Sequence, residues 1–317
     1  MAENPFLFTP VEDLREAWFR PMGFSLRVTS NAPAVMAAAE SAFAGFGPAA
    51  PDGSSDLSFR LFAHSVDDGV RGRPLQRADG PLVYQTTGRD STLVADRAAG
   101  VAFGCFSSTT LADPAFFRWH FLEPALFFML EWRGFIGVHG AALARGGKGL
   151  LLRAASGQGK TTLAYAATRR GFQALAEDVV WLDGARPLWW GTPWSFHLLP
   201  DARELFPELA SATPLVQLNG ETKLAADLEA LRPGSTTPSA RAGAVVLLSR
   251  QPGGRSRIEP LGPAAAREGW RQGGASKESE IAGYDSAVDR LLRHGAYRLA
   301  FGDDIEAAVD LLESIVA

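Results

Sequence analysis

The stretch LLLRAASGQGKT, residues 150–161, decides the fold of this chain. From Ala154 onwards it matches the phosphate-loop pattern G-x-x-x-x-G-K-[ST] at every fixed position except the first, where alanine replaces glycine. The three leucines are typical of a buried strand, and residues 162–167 are typical of the helix that follows. This order of strand, glycine-rich loop and helix predicts a site for a nucleoside triphosphate.

The loop residues have predicted roles in phosphate binding. Backbone N–H groups of a glycine-rich turn at a helix N-terminus form a nest for phosphate oxygens. Lys160 would place its charge on the β- and γ-phosphates, and the hydroxyl of Thr161 would bind Mg²⁺. Alanine at position 154 fits only if its φ is negative. The predicted ATP-binding residues are Ala155, Ser156, Gly157, Gln158, Gly159, Lys160, Thr161 and Thr162.

A histidine precedes the loop strand. Residues 135–144 are typical of another strand, joined to the loop strand through residues 146–147, a Gly-Gly pair that favours a two-residue hairpin turn. Counting outward from that turn places His139 opposite Ala154. His139 is therefore a candidate contact for phosphate or for the surroundings of the metal, although a lone histidine in a strand is also often structural.

Two adjacent acids, Glu177 and Asp178, lie between apolar runs at residues 172–176 and 179–182. Burying an acid is costly unless it is paired or bound to a metal, so the pair indicates either a catalytic site or a bulge that turns both acids to solvent. In the catalytic interpretation one acid holds Mg²⁺ and the other accepts the proton of an attacking hydroxyl. We favour Glu177 as the base and Asp178 as the metal ligand, and the reverse assignment stays open.

These segments together resemble the kinase domain of HPr kinase/phosphorylase, and more closely the HPr-kinase-related proteins that accompany bacterial peptide-modification gene clusters. The resemblance implies an α/β fold, in which a P-loop kinase domain of the HPr kinase/PEP carboxykinase type follows a smaller N-terminal α+β domain. It also implies ATP with Mg²⁺, and phosphoryl transfer to a serine-type hydroxyl of a peptide or small protein. The matching residues are 138–143 (VHGAAL), 149–152 (GLLL), 156–164 (SGQGKTTLA), 171–172 (GF) and 176–179 (AEDV).

The resemblance implies further site residues and a departure. In the related proteins a lysine-containing segment commonly follows a proline-rich turn, and Lys223 is the candidate for it here. The Glu-Arg-Gly signature of the bifunctional enzymes is replaced by WWGTPW at residues 189–194, so the resemblance does not extend to the phosphorylase activity or to HPr as substrate. A homo-oligomer is a further expectation. By this resemblance the loop lysine is Lys160, the loop hydroxyl Thr161, the histidine His139 and the catalytic acid Glu177 or Asp178.

Two other functions stay open beside a peptide or protein kinase. The first is a kinase for a free metabolite, such as an amino acid or a sugar. Kinases of that kind usually have a helix after their first acidic strand, whereas residues 179–182 continue here as a strand. The second is a non-catalytic ATP-binding module that escorts a peptide, which alanine at position 154 and the replaced signature leave room for.

Length, charge and composition exclude several classes of protein. A chain of 317 residues suffices for two domains, and its net charge of −4 does not favour nucleic acid or an anionic membrane as a partner. Cys105 is the single cysteine, which excludes a disulfide framework. The aromatic run at residues 116–132 carries three charged residues, and its longest uncharged stretch is far below the roughly 20 residues that a membrane span needs. Residues 1–5 lack a basic region and an apolar core, so we expect no secretory signal and a cytoplasmic protein.

The sequence predicts three regions. Residues 1–110 form an N-terminal α+β domain for substrate presentation or support, with an antiparallel meander that includes residues 57–62. Residues 111–134 form a bridging helix that begins at Asp113-Pro114, a favourable N-cap and first-turn pair. Residues 135–317 form the P-loop domain, in which residues 269–279 are interpreted as a lid or a linker.

Overall fold

The computed structural model describes residues 11–48, 54–65, 69, 72–217, 220–273 and 280–316. The chain divides into two compact units, Met1–Arg133 and Gly134–Ala317. Residues 111–133, interpreted from the sequence as a bridge, fall in the first unit. Among the described helices, none is long and apolar enough to cross a membrane.

The first unit is built on a seven-stranded sheet. Its strands are β1 (Arg15–Phe19), β2 (Leu26–Ser30), β3 (Leu57–Ala63), β4 (Leu75–Asp79), β5 (Leu82–Thr87), β6 (Ser91–Asp96) and β7 (Val101–Phe106). The strand order is β1-β2-β3-β7-β6-β5-β4. Strands β5, β6 and β7 form an antiparallel meander as predicted, but β3 runs parallel to β7 and so does not belong to it. Alternation of apolar residues predicts a strand but not its neighbour, which explains this error.

Helices cover one face of this sheet. They are α1 (Pro33–Phe43), α2 (Ser108–Leu111), α3 (Pro114–Phe117) and α4 (Glu123–Trp132), with 3₁₀ turns at Pro21–Gly23 and Ala44–Phe46 and a π-helical turn at Arg118–Leu122. The predicted cap is confirmed, since the Phe116 N–H donates to Asp113 Oδ1 at 3.0 Å. The ring of Phe106 packs edge-on against Phe117 and Phe121, with centroids 4.8 and 4.9 Å away. Phe117 and Phe121 of the aromatic segment therefore lie in the core, whereas Trp132 at its end is exposed.

The second unit contains a nine-stranded and a three-stranded sheet. The larger sheet comprises β8 (Ile136–His139), β9 (Ala141–Arg145), β10 (Lys148–Arg153), β11 (Gln173–Ala176), β12 (Val179–Leu182), β13 (Leu188–Trp190), β17 (Ser239–Arg250), β18 (Arg257–Pro260) and β19 (Ala296–Phe301). The smaller sheet comprises β14 (Ser195–Leu198), β15 (Thr213–Val216) and β16 (Thr222–Asp227). The helices are α5 (Lys160–Thr168), α6 (Ala202–Leu205), α7 (Leu228–Leu231), α8 (Pro263–Gln272), α9 (Tyr284–Leu292) and α10 (Ile305–Val316), with a 3₁₀ turn at Pro207–Ser211.

Two apolar cores sandwich the larger sheet. Leu150 and Leu152 of β10 face the core that includes helices α5 and α10, whereas Leu151 faces the core that includes α8 and α9. Because both faces of β10 are buried, its sequence is a continuous apolar run and not an alternation of apolar and polar residues. Strands β10, β17 and β19 are parallel neighbours, so their carboxyl ends lie at one edge of the sheet.

Glu177 and Asp178 form the connection between strands β11 and β12 of this sheet. Residues 136–145 and 173–182 are two long antiparallel segments, and Ala176 lies opposite Ala142 while Val179 lies opposite His139. Continuing that register places Glu177 and Asp178 opposite residues 141 and 140, which agrees with the 2.8 Å bond from the Gly140 N–H to the Asp178 carbonyl.

The register predicted for His139 is wrong. The Gly-Gly turn pairs its flanking residues as expected, but β9 leaves β10 after Ala141 and Leu152. Beyond that point His139 pairs with Val179 instead of lying opposite Ala154. The two strands separate at Gly140, where a Cβ would lie 2.9 Å from the Leu152 carbonyl oxygen, so this close approach requires glycine.

The region interpreted as a lid or a linker is partly helical. Residues 269–272 complete helix α8, so the interpretation is wrong there, and residues 274–279 lie outside the described part of the chain. The strong apolar face of α8 and the buried Trp270 explain the longer helix.

Candidate functional site

The glycine-rich loop connects the end of β10 to the start of α5. Gly157 and Gly159 have φ of +78° and +79°, values that favour glycine. Ala154 is absent from the non-glycine residues with positive φ, which are Asp13 and Met22 in the described part of the chain. The condition set for alanine at this position is therefore met.

The loop is held from both sides. The Nζ of Lys160 donates to the Ala154 carbonyl at 3.0 Å, and the Oε1 of Gln158 accepts from the Arg250 N–H at 3.1 Å. The side chain of Gln158 thus fixes the loop to the end of β17, and only its backbone is left for the phosphate role predicted from the sequence. Ala155, Ser156 and Gly157 are exposed, and Thr161 and Thr162 are half-buried.

The two acids reach different partners beside this loop. Glu177 accepts a hydrogen bond from the Thr161 hydroxyl at 3.4 Å through Oε1, and its Oε2 lies 2.8 Å from Nδ1 of His197. Asp178 Oδ1 lies 3.0 Å from Nδ1 of His139. The chain bends at residues 177–178, outside the strands, so both carboxylates reach the surroundings of the loop.

The charges at the site are close enough to shift one another. Burial lowers the pKa of Lys160, and so do the charges of Arg153 and Lys223, while Asp178 and Glu177 act to raise it. Desolvation acts to raise the pKa of Asp178, but the hydrogen bond from His139 and the positive charges nearby outweigh it, so the pKa lies below its usual value. The Asp178 side chain is 68% exposed, so water reaches the bend.

Arg153 is a buried cation immediately before the loop. It donates to the carbonyl of His139 at 2.8 Å and to the carbonyl of Trp270 at 3.1 Å, and its guanidinium lies 3.8 Å from the Trp270 ring centroid. Arg153 therefore links the end of strand β8, at His139, to helix α8. The sequence interpretation did not single it out, although a charge at the end of an apolar strand was the available signal.

His197 is the other residue that the sequence interpretation missed. It lies on β14 between Phe196 and Leu198, which are buried in the core next to α5. That alternation was a signal, because it places the histidine on the opposite face of the strand. His197 pairs with Ala225 of β16, which puts Lys223 on the same face of the small sheet. Lys223 forms an ion pair with Glu221 at 3.5 Å.

Most of the predicted site residues converge in space. Lys160, Thr161, Glu177, Asp178 and His139 are linked by hydrogen bonds or by their charges, and Lys223 acts on Asp178 and Lys160 through its charge. No group of three or more metal-ligating side chains occurs among the described residues. A cation held here would need other ligands, such as phosphate oxygens and water, as Mg²⁺ commonly does.

Comparisons with known proteins show distant similarity to solved structures. No family model matches the chain, and no curated protein matches it. Among solved structures, it is similar to the Hpr(Ser) kinase/phosphatase from Coxiella burnetii, with 13% sequence identity, over 57% of this chain and 87% of that chain, at a TM-score of 0.30. A similarity this distant carries no argument about activity, so the site is interpreted from its own residues.

Proposed function

We propose that this protein is an ATP-dependent phosphotransferase that transfers the γ-phosphoryl group to an alcohol hydroxyl. The observation that carries the proposal is the position of the acidic bend, whose Glu177 lies 3.4 Å from the hydroxyl of Thr161 at the end of the glycine-rich loop. Phosphoryl transfer requires mainly positioning and charge neutralisation, together with a group that accepts the acceptor's proton. The residues around this bend supply a candidate for each.

The residues of the loop fit a nucleoside triphosphate. A Cβ at Gly157 would meet nothing within 4 Å, so there is open space beside this residue of the loop. Helix α5 begins at Lys160, and its first N–H groups have no acceptor within the helix. In the proposal the N–H groups of residues 155–162 and the amine of Lys160 bind the phosphates.

Thr161 and Asp178 would hold Mg²⁺, because a hydroxyl and a carboxylate are the hard oxygen ligands that this ion prefers. When bound, the ion neutralises charge on the phosphates. His139 would keep Asp178 in place through its 3.0 Å contact. A lowered pKa keeps this carboxylate ionised and makes it a poor proton acceptor, which supports the assignment of Asp178 to the metal.

Glu177 is the proposed base. Its side chain is only 14% exposed, and contacts with His197 at 2.8 Å and with Thr161 at 3.4 Å define its orientation. In the proposed step the acceptor hydroxyl gives its proton to Glu177, and its oxygen forms a bond with the γ-phosphorus. The bond from that phosphorus to the β,γ-bridging oxygen breaks, and ADP leaves with the electron pair.

For the acceptor we propose a serine-type hydroxyl of a peptide or small protein. The exposure of Asp178 supports this choice, because a large acceptor can reach the bend without entering a closed cavity. The face of the small sheet that carries His197 and Lys223 would form one wall of the acceptor site. A homo-oligomer stays a prediction from the resemblance.

The test begins with calorimetric titration of Mg·ATP into the full chain, followed by transfer of label from γ-labelled ATP into a cell extract separated by size. Label in the peptide or protein fraction, lost in Glu177→Gln, supports the whole proposal. Label among metabolites keeps the phosphotransferase and replaces the acceptor. Binding without transfer to any fraction or to water would contradict the proposed chemistry and favour a non-catalytic ATP-binding module.

A further inference from the structure

We infer that His197 is a positioning residue that holds Glu177 in the orientation needed to accept a proton. This inference rests on the proposed function, because it assigns a role in the same transfer step. His197 does not itself take the proton, and it acts only through the carboxylate.

The contact between the two side chains is short and shielded from water. Nδ1 of His197 lies 2.8 Å from Oε2 of Glu177, and the side chains are 16% and 14% exposed. A carboxylate in such a place is costly to leave without a partner, so the pair is held more firmly than an exposed ion pair. By contrast, Asp178, which lies beside Glu177 in the chain, is largely exposed.

The histidine stands on a rigid support. The neighbouring Phe196 and Leu198 are 0% and 1% exposed and anchor β14 in the core next to helix α5. Strand β14 is also paired with β16 over four residue pairs, from Ser195 to Leu198. Since neighbouring residues of a strand point to opposite faces, burial of Phe196 and Leu198 fixes the side on which His197 emerges.

The two oxygens of Glu177 have separate tasks in this arrangement. Oε2 is bound by His197, and Oε1 faces Thr161 at 3.4 Å, a long and weak hydrogen bond. Oε1 is therefore the oxygen that can accept the proton of an acceptor hydroxyl. A partial rotation of the carboxylate would turn the lone pairs of Oε1 away from the acceptor hydroxyl, and the contact with His197 opposes that rotation.

A simple packing role for His197 makes a different prediction. Packing would affect stability and would act independently of Glu177, whereas positioning requires Glu177 to be present. A double-mutant cycle separates the two, because residues that act through each other give non-additive effects.

The experiment compares wild type, His197→Gln, Glu177→Gln and the double variant. Each protein is mixed with Mg·ATP and with the fraction of the cell extract that becomes labelled, and the release of ADP is measured. We expect His197→Gln to lower kcat about 10- to 100-fold, the range that misplacement of a catalytic group commonly costs. The KM for ATP should not change, since His197 does not bind the nucleotide in this proposal. The double variant should be no slower than Glu177→Gln alone. Fully additive losses, or an unchanged kcat in His197→Gln, would overturn the inference.

A matched control and a readout that is independent of turnover complete the test. His294→Gln changes an exposed histidine outside the site and should leave kcat unchanged. The chain has five histidines, so the imidazole ¹⁵N signals can be assigned by substitution. A His197 Nδ1–H signal that is protected from exchange in wild type and lost in Glu177→Gln supports the contact even if no transfer is found. A signal unchanged by that substitution would refute it.

Discussion

The two units of this protein bury different kinds of polar residue. In the described part of the first unit, the buried polar side chains are all uncharged, namely Ser30, Gln85, Thr87, Ser91, Ser107 and Thr110. The second unit buries Arg153, Lys160 and Asp183 together with the uncharged Thr168 and Ser235. A buried charge is much more costly than a buried hydroxyl, so it persists where the surrounding structure or a function holds it.

The partners of these groups show what the difference means. In the first unit three of these hydroxyls lie together, with Ser91 Oγ 2.7 Å from Thr110 Oγ1 and accepting from the Ser107 N–H at 3.1 Å, while Ser30 and Thr87 bond to backbone groups. In the second unit Arg153 and Lys160 converge on the loop and the acidic bend. We infer that the polar interior of the first unit is structural and that the chemistry belongs to the second.

The largest effect should come from Glu177. Glu177→Gln keeps the volume of the side chain but removes its basicity, so we expect kcat to fall about 100- to 10,000-fold, the usual contribution of a general base. The affinity for Mg·ATP should change little, because Glu177 is not assigned to the nucleotide. Single-turnover transfer and calorimetry measure the two quantities. Glu204→Gln, an exposed acid on α6, is the control. Undiminished transfer in Glu177→Gln with loss in Asp178→Asn would reverse the roles of the two acids.

Lys160 should have the next largest effect. Lys160→Met keeps the apolar stem but removes the charge, which would leave Glu177 and Asp178 uncompensated beside the phosphates. We expect the affinity for Mg·ATP to fall about 10- to 100-fold, as for loss of a hydrogen bond to a charged group. Lys148→Met at the exposed hairpin is the matched control, and calorimetry measures both. Equal affinities in the two variants would remove the loop from the nucleotide site.

Local patterns predicted the parts of the site that are close in sequence. The loop, its flanking strand and helix and the Gly-Gly turn follow from apolar runs and glycine positions. The position of His139 required the register to continue past Gly140, but β9 leaves β10 after Ala141 and His139 pairs with Val179 instead. His197 lies 20 residues beyond Glu177, and only the folding of the small sheet brings them together. A local sequence pattern does not predict contacts that depend on how the sheets are arranged.

The comparison predicts that a change inside the first unit affects stability alone. Ser91→Ala removes a hydroxyl that bonds to Thr110 and to the backbone of Ser107, leaving buried partners unsatisfied. We expect a local destabilisation of about 1–3 kcal/mol, measured as faster amide hydrogen exchange in β6 and β7. The affinity for Mg·ATP should match that of wild type. Weaker nucleotide binding in Ser91→Ala would mean that the two interiors are not separate in function.

The smallest effect concerns Glu131, the one acid in the described part of the first unit whose pKa is raised, so that its ionised form is disfavoured. Burial raises the pKa of Glu131 above its ordinary value of 4.5, although the charge of Arg97 acts to lower it. Because the folded-state pKa exceeds the unfolded one, folding favours the protonated acid, and this contribution to stability is complete below about pH 4.5 and is lost as the pH rises through the folded-state pKa.

Glu131→Gln should therefore raise the thermal midpoint slightly at pH 7, where the native carboxylate is charged, and leave it nearly unchanged at pH 4. At pH 7 the neutral amide avoids the desolvation of the charged carboxylate, which outweighs the attraction to Arg97 that the substitution also removes. Glu40→Gln, an exposed acid on α1, should show no such dependence. A lower midpoint for Glu131→Gln at pH 7 would show that Arg97 outweighs burial, and that the first unit does hold a stabilising charge pair.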